Sequence, residues 1–236
     1  MLVPIDSSVL FDDSFTLLNT GDIVLFAGTD MISSLIAHCT GSKWTHVGMV
    51  VRPSQTHHEV LLWESLYDSK LRDVQTGKIA YGVTMVPLSK RLKGIEKQVA
   101  IRLLRWKRTA THLRDLAALR KELRGRPYEQ KLFQLVKAAY HDYLGANEED
   151  LSSLFCSELV AAAYKRMGLL DSGPDSEPSN DYVPGSFAEA FNLPLRDGAS
   201  LGPELSLDQL LEQTREDARN RMMAGDCLDD LNLELL

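Results

Sequence analysis

The chain of 236 residues lacks the features that mark secreted, membrane-spanning and nucleic-acid-binding proteins. Its three cysteines are odd in number and have no paired spacing, which predicts a reducing compartment rather than a disulfide framework. No apolar run approaches the ~18 residues that span a bilayer, and the opening MLVPIDSSVLFDD does not resemble a signal peptide. A net charge of −7 argues against a nucleic-acid surface. We therefore expect a cytoplasmic protein with no transmembrane segment and no nucleic-acid partner.

The composition is that of an ordinary globular protein, with 44% hydrophobic and 25% charged residues. A chain of this length favours one domain with a substantial core and an appendage. We predict a domain over residues 1–200 with a helical insertion at about 105–150, followed by a C-terminal helix and acidic tail over 201–236. The tail, residues 226–236, alternates acids with leucines. It is either frayed or a docking peptide for a partner.

Cys156 lies in a segment that reads as an amphipathic helix, Leu151 to Leu170. With Ser152 or Ser153 as the N-cap, the cysteine falls at or near the first turn. Unpaired backbone N–H groups and the helix dipole favour an anion there, which for cysteine is the nucleophilic thiolate. The alternative is that Cys156 is a buried small hydrophobic residue.

His46 and Glu64 lie on two predicted strands, Thr45 to Val51 and Glu59 to Ser65, which are joined by a polar turn. A turn centred on Gln55 would place His46 directly opposite Glu64, on one face of an antiparallel hairpin. A carboxylate beside an imidazole can orient a general base toward a thiol. The alternative is an ordinary cross-strand polar pair on an exposed face.

Rival sites for metals and nucleophiles are weaker. The run His57-His58-Glu59 could bind a metal, but neighbouring residues on a strand point to opposite faces. His38 and Cys39 are adjacent, and sequence neighbours seldom align for proton transfer. We therefore predict no metal and no cofactor.

Five short segments, taken in order, resemble a known superfamily. The chain is similar to the NlpC-type papain-like proteins, and in particular to the circularly permuted YiiX/YebB-like branch, which is also similar to lecithin–retinol acyltransferases and to a group of poxvirus proteins. In this branch the His strand precedes the Cys helix, as it does here. The matching segments are GDIVLF (residues 21–26), WTHVGMV (44–50), LWES (62–65), GRPY (125–128) and FCSELV (155–160).

The resemblance implies an α+β, circularly permuted papain-like fold in which an antiparallel sheet packs on the Cys helix. It also implies Cys156 as nucleophile, His46 as base and Glu64 as the orienting carboxylate. Tyr128 and Trp44, within the matching motifs, would bind substrate, although Tyr128 could equally pack below a helix break.

The expected reaction is hydrolysis of an amide or ester in a peptide or lipid through a thioester, with the Cys156 backbone N–H as an oxyanion donor. A lipid or protein acyltransferase with the same triad is one alternative to hydrolysis. A non-catalytic binding module is the other.

Overall fold

The structure of the protein, a computed structural model, describes residues 15–28, 41–53, 59–66, 70–79, 82–95, 98–126 and 152–224. It contains seven strands and four α-helices in the described residues, together with short 3-10 turns. The strands are β1 (Ile23–Phe26), β2 (His46–Val51), β3 (Leu61–Leu66), β4 (Gly82–Pro87), β5 (Val99–Arg102), β6 (Leu104–Arg105) and β7 (Ser200–Leu201). The helices are α1 (Leu88–Leu92), α2 (Ala110–Glu122), α3 (Ser152–Arg166) and α4 (Leu207–Ala224).

Five strands form an antiparallel sheet in the order β4-β3-β2-β1-β5, and β6 pairs with β7 in a separate two-stranded sheet. The central strands are buried on both faces because alternate side chains enter two different apolar clusters. Val47 and Met49 face the cluster that contains α3, whereas Val50 faces a second cluster formed with α1 and α4. The predicted α+β class, with an antiparallel sheet packed on the Cys helix, is confirmed.

The β2–β3 pairing differs from the predicted register by two residues. Met49 pairs with Trp63 and Val51 with Leu61, so the prediction that His46 lies directly opposite Glu64 is wrong. A shift of two along a strand leaves every side chain on its original face. His46 and Glu64 therefore share a face as expected, but they meet diagonally.

The helices around the sheet agree in part with the sequence prediction. Helix α2 begins after Thr109, whose hydroxyl accepts a hydrogen bond from the His112 backbone N–H in a capping box. It forms the first part of the predicted insertion. The predicted helices over 29–38 and 129–143 lie outside the described residues. No helix among the described residues is long and apolar enough to cross a membrane.

The residues just after position 200 are part of the main core. The backbones of Leu205 and Ile101 exchange two hydrogen bonds, and the Arg102 guanidinium donates to the carbonyl oxygens of Leu201 and Gly202. Leu210 of α4 is fully buried in the second cluster. The boundary at residue 200 stays a prediction, yet residues on both sides of it share one apolar core.

Truncation tests this boundary. A chain ending at residue 200 should fail to fold cooperatively, because it loses the Leu205 pairing and the buried Leu210 and leaves the Arg102 guanidinium without two of its acceptors. A chain ending at residue 225 should unfold within about 1 kcal/mol of the full-length protein, since tails with little anchoring area contribute little. Urea unfolding followed by circular dichroism measures both. Similar stability of the two truncations would contradict a shared core.

Candidate active site

A histidine and a carboxylate form a buried pair at the end of the central strands. Nε2 of His46 lies 2.7 Å from Oε2 of Glu64, and the Glu64 side chain has no exposed surface. His46 is the first residue of β2 and pairs with Phe26, the last residue of β1. The side chain of Leu62 fills the space beside Gly48, where a Cβ would lie 2.8 Å from Leu62 Cδ1. Any side chain at position 48 would therefore clash with Leu62 next to the pair.

Cys156 interacts with the same imidazole. The β2–β3 ladder ends at Met49 and Trp63, so His46 lies beyond the last paired residue of that ladder. Nδ1 of His46 is buried without a nitrogen or oxygen partner among the described residues. Burial alone would lower the pKa of His46, but the charges of Cys156 and Glu64 and the hydrogen bond with Glu64 raise it to about 9. These interactions favour the protonated form of the ring.

Glu64 has a second partner, which the sequence analysis did not single out. Nε of Arg91, on α1, lies 2.8 Å from Oε1 of Glu64. Burial would raise the pKa of Glu64, but the positive charge of Arg91 and the contacts with His46 lower it below its ordinary value. The buried carboxylate is thus ionised because cationic groups contact both of its oxygens.

Cys156 lies near the first turn of its helix, as predicted. Helix α3 begins at Ser152, so Cys156 is its fifth residue and lies in the second turn. In a regular α-helix the backbone N–H of the fifth residue bonds to the carbonyl of the first. The use of the Cys156 N–H as an oxyanion donor stays a prediction. The thiol itself is fully buried, and the neighbouring Ser157 hydroxyl donates a hydrogen bond to the Tyr182 carbonyl, which ties the following loop to the helix.

Trp44 packs in the same apolar cluster as Cys156. Its indole N–H donates to Oε1 of Glu204 at 2.8 Å, and Lys43 lies over its ring. The side chain is only 4% exposed. In this arrangement the predicted substrate-binding tryptophan supports the entry to β2 from within the core, and its polar atom is already bonded.

Several predicted residues lie outside the described part of the chain. These are Tyr128, the second predicted substrate-binding residue, and the rival candidates His38, Cys39, His57 and His58; the tail cysteine Cys227 is another. Among the described residues, no group of three or more His, Cys, Asp or Glu side chains could hold a metal ion. In the described residues, Glu64 contacts both His46 and Arg91, and Cys156 acts on the same imidazole through its charge.

Comparison with known proteins relates this chain to one family. No curated protein sequence matches it. A crystal structure described as that of the metalloprotein yiiX from Escherichia coli O157:H7 aligns with 63% of this chain and 66% of its own, at 20% identity and a TM-score of 0.40. The aligned part is thus just under two thirds of that protein. A family model described as permuted papain-like amidase enzyme, YaeF/YiiX, C92 family, matches residues 17–174, which is more than half of the chain. The chain belongs to this family of permuted papain-like amidases.

Proposed function

We propose that the protein is a cysteine hydrolase that cleaves an amide or ester bond through a thioester on Cys156, with His46 and Glu64 as its catalytic partners. The observation that carries this proposal is the buried imidazole, whose Nε2 is bound to Glu64 and whose ring also interacts with the Cys156 thiol. Membership of an amidase family supports an amide substrate. A surface polar pair, the alternative reading of His46 and Glu64, would not be buried to this degree.

In the proposed reaction Cys156 is the nucleophile and His46 transfers the protons. His46 takes the proton of the Cys156 thiol as the sulfur attacks the carbonyl carbon, and it gives this proton to the leaving group as the C–N or C–O bond of the substrate breaks. The acyl group remains on sulfur as a thioester. Water next attacks this thioester while His46 takes a proton from the water. The C–S bond then breaks and His46 gives that proton to the sulfur, which releases the carboxylic acid and restores the thiol. Glu64 keeps the imidazole oriented through both steps.

Burial of the thiol sets a condition on this chemistry. Because Cys156 has no exposed surface, a substrate carbonyl reaches the sulfur only after the groups that cover it move. An acyl acceptor other than water would have to enter by the same route. Whether the thioester passes to water or to a lipid or protein acceptor therefore depends on what this opening admits.

Selective labelling tests the proposal. With limiting iodoacetamide at neutral pH, Cys156 should be alkylated before Cys39 and Cys227 each time the groups that cover it open, because the His46 imidazole can take the proton of its thiol. Mass spectrometry of peptides gives the three rates, and full labelling after denaturation is the reference. Peptide-amide and acyl-ester probes should form a hydroxylamine-sensitive adduct on Cys156, and Cys156→Ala should abolish it.

Matched controls complete this test. Cys39→Ala and Cys227→Ala should form the adduct at the wild-type rate. Equal alkylation of all three cysteines, or an unchanged adduct in Cys156→Ala, would contradict an activated Cys156 and favour a binding module. Adduct decay that requires an added acceptor rather than water would identify an acyltransferase.

A further inference from the structure

Arg91 connects the candidate triad to helix α1. Its Nε donates to Oε1 of Glu64 at 2.8 Å, while Oε2 of the same carboxylate contacts His46 Nε2 at 2.7 Å. The Arg91 side chain keeps about a fifth of its surface exposed, whereas that of Glu64 has none. Each carboxylate oxygen therefore has its own partner, and one of the two partners carries a permanent positive charge.

Arg91 makes a second contact next to the imidazole. Its guanidinium carbon lies 4.5 Å from the centroid of the Phe26 ring, within the range of a cation–π interaction. The Phe26 ring lies 5.2 Å from the His46 ring and is tilted by 49°. Arg91 thus touches both the carboxylate and the aromatic ring that border His46.

We propose that Arg91 is a positioning residue, which keeps Glu64 ionised and thereby holds the His46 imidazole in its catalytic orientation. This inference rests on the proposed triad but concerns a different residue. A carboxyl group without exposed surface favours its neutral form unless a cation compensates for the lost hydration. A protonated Glu64 would lose the negative charge that stabilises the imidazolium.

The groups around Glu64 make Arg91 the principal source of this compensation. In the described structure, the charged or titratable groups that act on the carboxylate are Arg91 from α1 and His46 from β2, and Cys156 from α3 acts on the far side of the imidazole. Another carboxylate, Asp73, accepts a hydrogen bond from the hydroxyl of Thr84, the β4 residue that pairs with Glu64. Among the residues that the structure describes, only Arg91 supplies Glu64 with a permanent positive charge.

The titration of the His46 ring gives a direct test in the full-length protein. In NMR spectra of histidine-labelled protein, the ring reports its own deprotonation and, at lower pH, that of Glu64. In Arg91→Gln, the acid inflection, which is due to Glu64, should move up by about one pH unit. Glu64 would then be a tenfold weaker acid. On the acid limb, at pH values well below the inflection in both proteins, kcat/KM relative to its value at pH 8 should fall about tenfold with it.

Two further variants keep the test decisive if Arg91→Gln fails to fold. Arg91→Lys retains the charge without the planar fork, so its acid inflection should move by about half as much. The exposed neighbour Lys90 lies on the same helix, and Lys90→Gln should leave both readouts unchanged. An unmoved inflection in both Arg91 variants would overturn the proposal.

A double-variant cycle separates this inference from the proposed function. In a Glu64→Gln background the carboxylate that causes the acid inflection is missing. The His46 ring should then show no acid inflection, with or without Arg91→Gln. A shift that persists there would show that Arg91 acts elsewhere, and would overturn the proposal. If the His46 titration follows Arg91 in a protein whose activity does not require Cys156, the positioning role is supported and the proposed function fails.

Discussion

His46→Ala should lower kcat/KM by about a thousandfold or more, the largest effect we expect from a single substitution outside the nucleophile. The variant loses both the base that takes the proton of the Cys156 thiol and the acid that protonates the leaving group. Steady-state hydrolysis of the amide probe measures this loss. Added imidazole should restore part of the rate if it enters the space left by the side chain.

His112→Ala is the matched control for this substitution. His112 stacks on Trp106 at the start of α2, away from the Glu64 carboxylate, and it takes part in a helix cap. Its loss should cost about 1 kcal/mol of stability and leave kcat/KM unchanged. Residual activity of His46→Ala within tenfold of the wild type, in a protein that unfolds at the same temperature as the wild type, would remove His46 from the proposed mechanism.

The main elements of the site could be predicted because each has a local signal. Alternation of β-branched residues marks β2, and three- and four-residue spacing marks the Cys helix. A period of two also fixes the face on which a side chain lies. The shared face of His46 and Glu64 therefore followed from sequence, although their exact register did not.

The predicted register of β2 and β3 was wrong because the sequence of the connecting turn contains no strong signal for its geometry. The segment RPSQTHH, residues 52–58, has neither Asn-Gly nor Asp-Gly to fix its centre. Moving the centre by one residue changes every pairing by two and leaves the alternation intact. The pattern that identifies the strands is therefore the same for both registers.

The partners contributed by distant parts of the chain could not be predicted. Arg91 and Lys90 are adjacent basic residues on a five-residue helix, and nothing in the sequence distinguishes the one that contacts Glu64. The contact between Trp44 and Glu204 joins residues separated by 160 positions. Such pairs depend on how elements pack in three dimensions, and sequence periodicity contains no information about that.

Glu64→Ala should destabilise the fold by about 3–5 kcal/mol, because it leaves the cations of Arg91 and His46 in a buried site without their common carboxylate. Glu59, exposed just before β3, supplies the matched control. Glu59→Ala should change stability by about 0.5 kcal/mol or less. Urea unfolding of both variants and the wild type, at a series of pH values, gives the comparison.

The pH dependence distinguishes a lost ion pair from a simple cavity at Glu64. Folding raises the pKa of His46 from 6.5 to about 9, so the stabilisation due to its proton is complete below pH 6.5 and is lost as pH rises through about 9. Glu64→Ala removes one of the negative charges that raise this pKa. The stability gap between wild type and Glu64→Ala should therefore be widest near pH 6 and narrow toward pH 9.5, where the unpaired Arg91 still accounts for a remainder. A gap that stays constant over this range would mean that Glu64 supports the fold through packing alone.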